Sequence, residues 1–201
     1  MKRSFTPLEK NYITKEPRFL TGFTLIELIL VIAIIAVLAA VIAPNAFRTI
    51  EKAKIAKAVS DIKAIKTAVM SYRADTKEWP PDYYFGADPN PFMAAPDGVS
   101  GWDGPYLDQM MKAHPWGGNI NWRIIDIDDN GLEDYYITFD DDRFGTSSSD
   151  NGARIPRKSM IRIDQILDDG DLSTGNVQGN NEGFINTPVG EIAIISHLGG
   201  E

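Results

Sequence analysis

Residues 23–43, FTLIELILVIAIIAVLAAVIA, form a 21-residue run whose single charge is Glu27. Rising 1.5 Å per residue, a helix of that length spans about 32 Å, the hydrocarbon thickness of a bilayer. The core helix of a soluble protein is rarely so uniformly apolar. The run therefore fixes one end of the molecule in lipid or in an equally apolar protein core. Two simpler readings compete. A secretory signal cut after Ala39–Ala40 is disfavoured because the apolar region is too long and 22 residues precede it. A plain single-pass anchor is the other. Orientation is undecided by charge. Lys2, Arg3, Lys10, Lys15 and Arg18 on one flank face Arg48, Lys52, Lys54, Lys57 and Lys63 on the other.

A carboxylate costs roughly 2.5–3.5 kcal/mol at the centre of a membrane helix and less towards its end. No Lys, Arg or His lies within the run to offset Glu27. A cut between Gly22 and Phe23 would create a partner, a new α-amino group that is largely charged at neutral pH. That amine could serve Glu27 of its own helix or of a neighbouring subunit.

The segment TGFTLIELILVIAIIAVLAAVIAPN resembles the amino-terminal signature of type IV pilins and type II secretion pseudopilins. The match lies at Gly22, Phe23, Thr24, Leu25 and Glu27 and at Pro44. The resemblance implies that a prepilin peptidase cuts after Gly22 and that Phe23 becomes N-methylated. It implies that Glu27 pairs with a neighbour's terminal amine during filament assembly. It also sets the topology: a cytoplasmic leader, a single inner-membrane pass and a periplasmic carboxyl-terminal domain. Its implied partners are identical subunits, minor pseudopilins, the inner-membrane assembly platform and membrane lipid. The implied fold is α+β and pilin-like, with a long amino-terminal helix packed on a small antiparallel sheet with irregular, calcium-binding loops.

Four segments follow: a leader over 1–22, an apolar helix half over 23–43, an amphipathic half over 44–75 and a globular domain over 76–201. In the third, Ile55, Val59, Ile62, Ile65, Val69 and Tyr72 recur at helical period. Lys52, Lys54, Lys57, Asp61, Lys63 and Lys66 lie between them. A continuous helix to residue 75 would run roughly 80 Å, with Pro44 expected to kink or locally melt it. Loss of the leader leaves 15 basic and 26 acidic residues, a net charge of −11. The basic helix face then reads as solvated or as a contact for acidic patches of neighbours. The acidic balance argues against nucleic acid as a partner.

Residues 80–98 are rich in proline and glycine, yet Trp79, Tyr83, Tyr84, Phe85 and Phe92 predict a loop folded against the helix. GPYL and HPWGGNINW resemble the GPYI and DPWG region of major pseudopilins, with His114 in place of the usual Asp. Strands are expected at 121–126, 135–139, 159–163 and 191–196.

The turn DIDDNGLED, 126–134, alternates Asp126, Asp128 and Asn130 before Gly131. A hard cation such as calcium gathers six to eight oxygens at about 2.3–2.6 Å, and a tight glycine turn lets such side chains converge. The Leu132 carbonyl and Asp134 would complete the shell. Position twelve is Ile137, which excludes an EF-hand. A polar hairpin turn is the competing reading. Two other acidic stretches, 140–150 and 164–171, compete for the ion; the first sits where major pseudopilins carry their calcium loop.

Catalysis finds no support. The chain has no cysteine and two histidines, His114 and His197, and neither lies in a nucleophile, phosphate-binding or zinc pattern. The sequence reads as a pseudopilus subunit. A type IV or minor pilin, which commonly carries a disulfide, and a non-polymerising membrane-anchored calcium module are the alternatives.

Overall fold

The computed structural model describes residues 22–83, 90–109, 111, 113–126, 131–143, 152–182 and 188–197. Two compact units divide the chain, Met1–Asn45 and Ala46–Glu201. Helix α1, Leu25–Thr76, begins in the first and ends in the second. It runs unbroken through Pro44, so the proline does not melt it as expected.

In the first unit the described residues are helix from Leu25 onward, and their side chains are exposed throughout. Leu25, Ile26, Val37, Val41 and Ile42 are each about two-thirds exposed or more. Such a surface is incompatible with water as its final surroundings. The stretch is long and apolar enough to cross a membrane.

The second unit is built around the amphipathic part of α1. All six residues of the expected stripe are buried: Ile55, Val59, Ile62, Ile65, Val69 and Tyr72. Ala58 and Ala68 fill the gaps between them, and buried Asp61 pairs with Lys57 one turn back. Strands β1 (Gly118–Ile125), β2 (Asp134–Arg143), β3 (Val177–Gly179) and β4 (Ile192–His197) form one antiparallel sheet in the order β1-β2-β4-β3. Alternation sends Ile137, Phe139, Ile192 and Ile194 into the cluster that holds the helix stripe. Tyr136, Ala193 and Ile195 form a second small cluster.

The proline-rich segment does fold into this core where it is described. Phe92 is buried, and Tyr83 exchanges backbone hydrogen bonds with Trp122 of β1. The Trp122 indole donates to the Pro80 carbonyl at 3.1 Å. Trp79 stacks on Tyr135 and lies beneath the Arg73 guanidinium. Tyr84 and Phe85 lie outside the described residues.

The strand expected at 159–163 is a helix instead, α2, Arg157–Leu167. Ser159, Met160, Ile163 and Asp164 are its buried residues, a 3–4 spacing that fits one helix face. The five residues SMIRI look β-prone because they are short and rich in isoleucine; the helical period emerges only over eleven. The remaining expected strands fall within a few residues of β1, β2 and β4. Strand β3, three residues long and ending in glycine, has no counterpart in the sequence reading.

Candidate functional site

At the amino terminus Gly22, Phe23 and Thr24 precede the first helical turn and are exposed, Phe23 by 74%. The Gly22–Phe23 peptide is thus non-helical and accessible. Thr24 and Glu27 form a reciprocal capping box. The Thr24 amide and hydroxyl donate to Glu27 Oε2 at 2.8 and 2.7 Å, and the Glu27 amide donates to Thr24 Oγ1 at 3.3 Å. The T-x-x-E spacing carries this signal in plain sequence. It gives Glu27 a second task beside the one sought for its charge: satisfying orphan amides of its own helix.

Around the HPWGG turn, His114 is 2% exposed and stacked on Phe139 with the rings 7° from parallel. Its Nε2 lies 2.7 Å from the Asp140 carbonyl, and its Nδ1 accepts the Trp116 amide at 3.2 Å. The first contact needs a proton on Nε2 and the second a bare Nδ1, so the ring is the neutral Nε2–H tautomer. Burial drives its pKa down to about 4. An Asp before Pro would accept the same i+2 amide through its carboxylate. The histidine therefore keeps the turn and adds a donor to β2. Gly118 is required beside it, since a Cβ there would lie 2.0 Å from the Asp140 oxygen and 2.3 Å from His114 Nε2.

Glu51 of α1 gathers this corner. Its Oε1 accepts the Trp116 indole N–H at 3.0 Å and the Ser159 hydroxyl of α2. Lys54 lies over the Trp116 ring at 5.9 Å. Nearby, burial and the charges of Asp141 and Asp140 push the Glu191 carboxyl up to about 8. Asp141, itself buried, accepts the Arg154 Nε at 3.0 Å.

Of the acidic hairpin turn, Asp128 and Asn130 lie outside the described residues. Asp126 Oδ2 accepts the Gly131 amide at 2.7 Å, which is the turn chemistry of the bland reading. Leu132 is about half exposed, and Asp134 is fully buried at the start of β2. The turn thus brings Asp126 and Asp134 to the two ends of one hairpin, where Ile125 pairs with Asp134. Residues 144–150 of the second acidic stretch are likewise outside the description.

The family model described as "PilW, C-terminal" matches residues 49–135. Type II secretion system core protein G of Aeromonas hydrophila is 35% identical to this chain over 133 residues, 63% of this chain and 92% of that protein. The protein of the same name from Xanthomonas campestris pv. campestris is 27% identical over 117 residues, 57% of this chain and 78% of that protein. The chain belongs to the core protein G family, the major pseudopilins. No solved structure matches it.

Set in the core protein G family, the long helix on a four-stranded antiparallel sheet is the pilin-like arrangement anticipated from the sequence. The family-model match runs through the buried part of α1, the HPWGG turn and β1, and stops as β2 begins. Helix α2 and strands β3 and β4 lie beyond it. The residues that sequence reasoning overlooked are Thr24 as a cap and Glu51 as a staple joining α1 to the HPWGG turn and α2. The first had a motif; the second joins residues 65 and 108 positions apart and had none.

Proposed function

We infer that this chain is a structural subunit of a type II secretion pseudopilus, and that it has no catalytic role. The observation that carries the reading is the 35% identity that extends over 92% of the A. hydrophila core protein G. The wholly exposed apolar part of α1 supports it, because such a helix needs lipid before assembly and neighbouring helices after it.

In this reading prepilin peptidase cuts the exposed Gly22–Phe23 peptide, and Phe23 is N-methylated. Cleavage leaves the capping box intact, since the Thr24 amide remains a peptide N–H. Glu27 then has two donors to serve: Thr24 of its own helix and the terminal amine of a neighbouring subunit. The charged amine makes the stronger hydrogen bond, which favours insertion in one axial register. The carboxyl-terminal domain lies on the periplasmic side, facing minor pseudopilins and the assembly platform as further partners.

Calcium belongs to the same reading. Asp126, Asp128, Asn130, the Leu132 carbonyl and Asp134 offer only oxygen donors, the set a hard cation prefers.

Two substitutions separate the roles of Glu27. Glu27→Gln keeps an oxygen acceptor for the Thr24 amide but loses the charge; Glu27→Leu loses both. Both variants are expected to enter the membrane, be processed and fail to form filaments or support export. Filaments of normal length and abundance from Glu27→Gln would show that capping, not charge pairing, is what assembly requires.

A further inference from the structure

Helix α2 ends in an unbalanced concentration of negative charge. A helix carboxyl terminus carries a partial negative charge and favours cations. Here the last turn holds no basic residue, and three carboxylates meet there. One oxygen each from Asp164, Asp168 and Asp169 lies within 4.8 Å of the others. That is about the diameter of a calcium coordination shell, twice a calcium–oxygen distance of roughly 2.4 Å.

Asp164 sets this cluster apart from an ordinary acidic surface. It has no solvent exposure, and neither carboxylate oxygen accepts a hydrogen bond of proper geometry. The amides of Gly170 and Asp169 lie close enough to offset only part of the penalty. Burial, with Asp169 and Asp168 adding to it, still lifts the carboxyl to about 6. An orphaned buried carboxylate is costly unless something positive reaches it. Lys66 of α1 faces Asp168 but forms no ion pair with it among the described residues, and burial lowers the lysine's own pKa.

The other two carboxylates are fixed in place with acceptor capacity left over. Asp168 Oδ2 accepts the Asn176 amide. Asp169 accepts the Asp171 amide and the Thr174 hydroxyl, each at 2.8 Å. An ionised carboxylate has about four lone-pair sites, so these bonds do not exhaust it. The loop wraps this closely because Gly175 (φ +70°) has no Cβ; one would lie 2.1 Å from Asp168 Oδ2.

We propose that Asp164, Asp168 and Asp169 hold a calcium-class divalent cation that clamps the carboxyl-terminal end of α2 to the loop entering β3. The donors are all oxygen, which disfavours zinc and copper. The site is separate from the 126–134 hairpin and stands whether or not the chain polymerises. Bound there, the ion ties α2 to strand β3 and, through the Ile195 amide bond to the Asn176 carbonyl, to β4.

The test is calcium titration of the full chain in detergent, by calorimetry and thermal unfolding, for wild type and for Asp164→Asn, Asp169→Asn and Asp126→Asn. Asp164→Asn and Asp169→Asn are each expected to lose one calcium equivalent and the matching calcium-induced rise in Tm. Asp126→Asn, at the hairpin, is expected to lose no more than the hairpin's own equivalent and to keep the one that Asp164→Asn and Asp169→Asn lose. Asp169 is exposed, so its substitution reads the site even if Asp164→Asn fails to fold. Wild-type stoichiometry and Tm rise in Asp169→Asn would overturn the proposal, as would their loss in Asp126→Asn alone. Failure here leaves the Glu27 experiment untouched.

Discussion

His114 shows how one residue can keep a turn while changing its chemistry. Its neutral ring is held between the Trp116 amide and the Asp140 carbonyl, and burial keeps its pKa near 4 against an ordinary 6.5. Between those values the unfolded chain takes up a proton that the folded chain refuses. The contribution to stability is therefore complete above pH 6.5 and is lost as pH falls towards 4, in total roughly 3 kcal/mol. Glu191 acts in the opposite sense. Its raised pKa contributes stability that is present at low pH and lost as pH rises through about 8. Comparing wild type with His114→Asn removes the Glu191 effect, which is common to both. Denaturant unfolding at pH 7, 6, 5 and 4 should show a less stable variant with a shallower loss of stability on acidification. Equal slopes would mean that His114 titrates normally. That a histidine could stand in for aspartate here was visible in the sequence only as a departure; the reason lies in where Asp140 falls across the sheet.

At the scale of elements, what could be read depended on how many turns or strand pairs a pattern spans. The stripe from Ile55 to Tyr72 repeats over five turns, so its period was plain and every member is buried. Ile62 and Val69 sit at its centre with no exposure. Ile62→Ala should cost about 2–5 kcal/mol, measured as a lower denaturant midpoint at unchanged slope. A loss below about 1 kcal/mol would mean that the helix is not packed as described. Helix α2 was misread because its first residues favour a strand locally and its buried face is defined by a distant Glu51 and by the sheet. The basic positions on α1 are also less uniform than a solvated face: Lys57 pairs with Asp61, Lys54 lies over Trp116, and Lys66 is half-buried near Asp168. Such pairings join elements remote in sequence and leave no local signature.

The whole molecule combines a helix half that water cannot accommodate with a folded unit that has its own core. Composition and length alone were enough to reveal the first. The division between Asn45 and Ala46 falls beside Pro44, where the sequence changes from continuous to amphipathic apolarity. The GFTLIE motif could be read directly because it is contiguous, whereas the burial of Asp164 within the acidic stretch 164–171 depends on packing and leaves no local signature. Mass spectrometry of the mature protein from the host membrane tests the pseudopilin reading most directly. The expected result is a chain that begins at Phe23 with one added methyl group on its amine. An intact segment 1–22, or a terminus near Ala40, would contradict it.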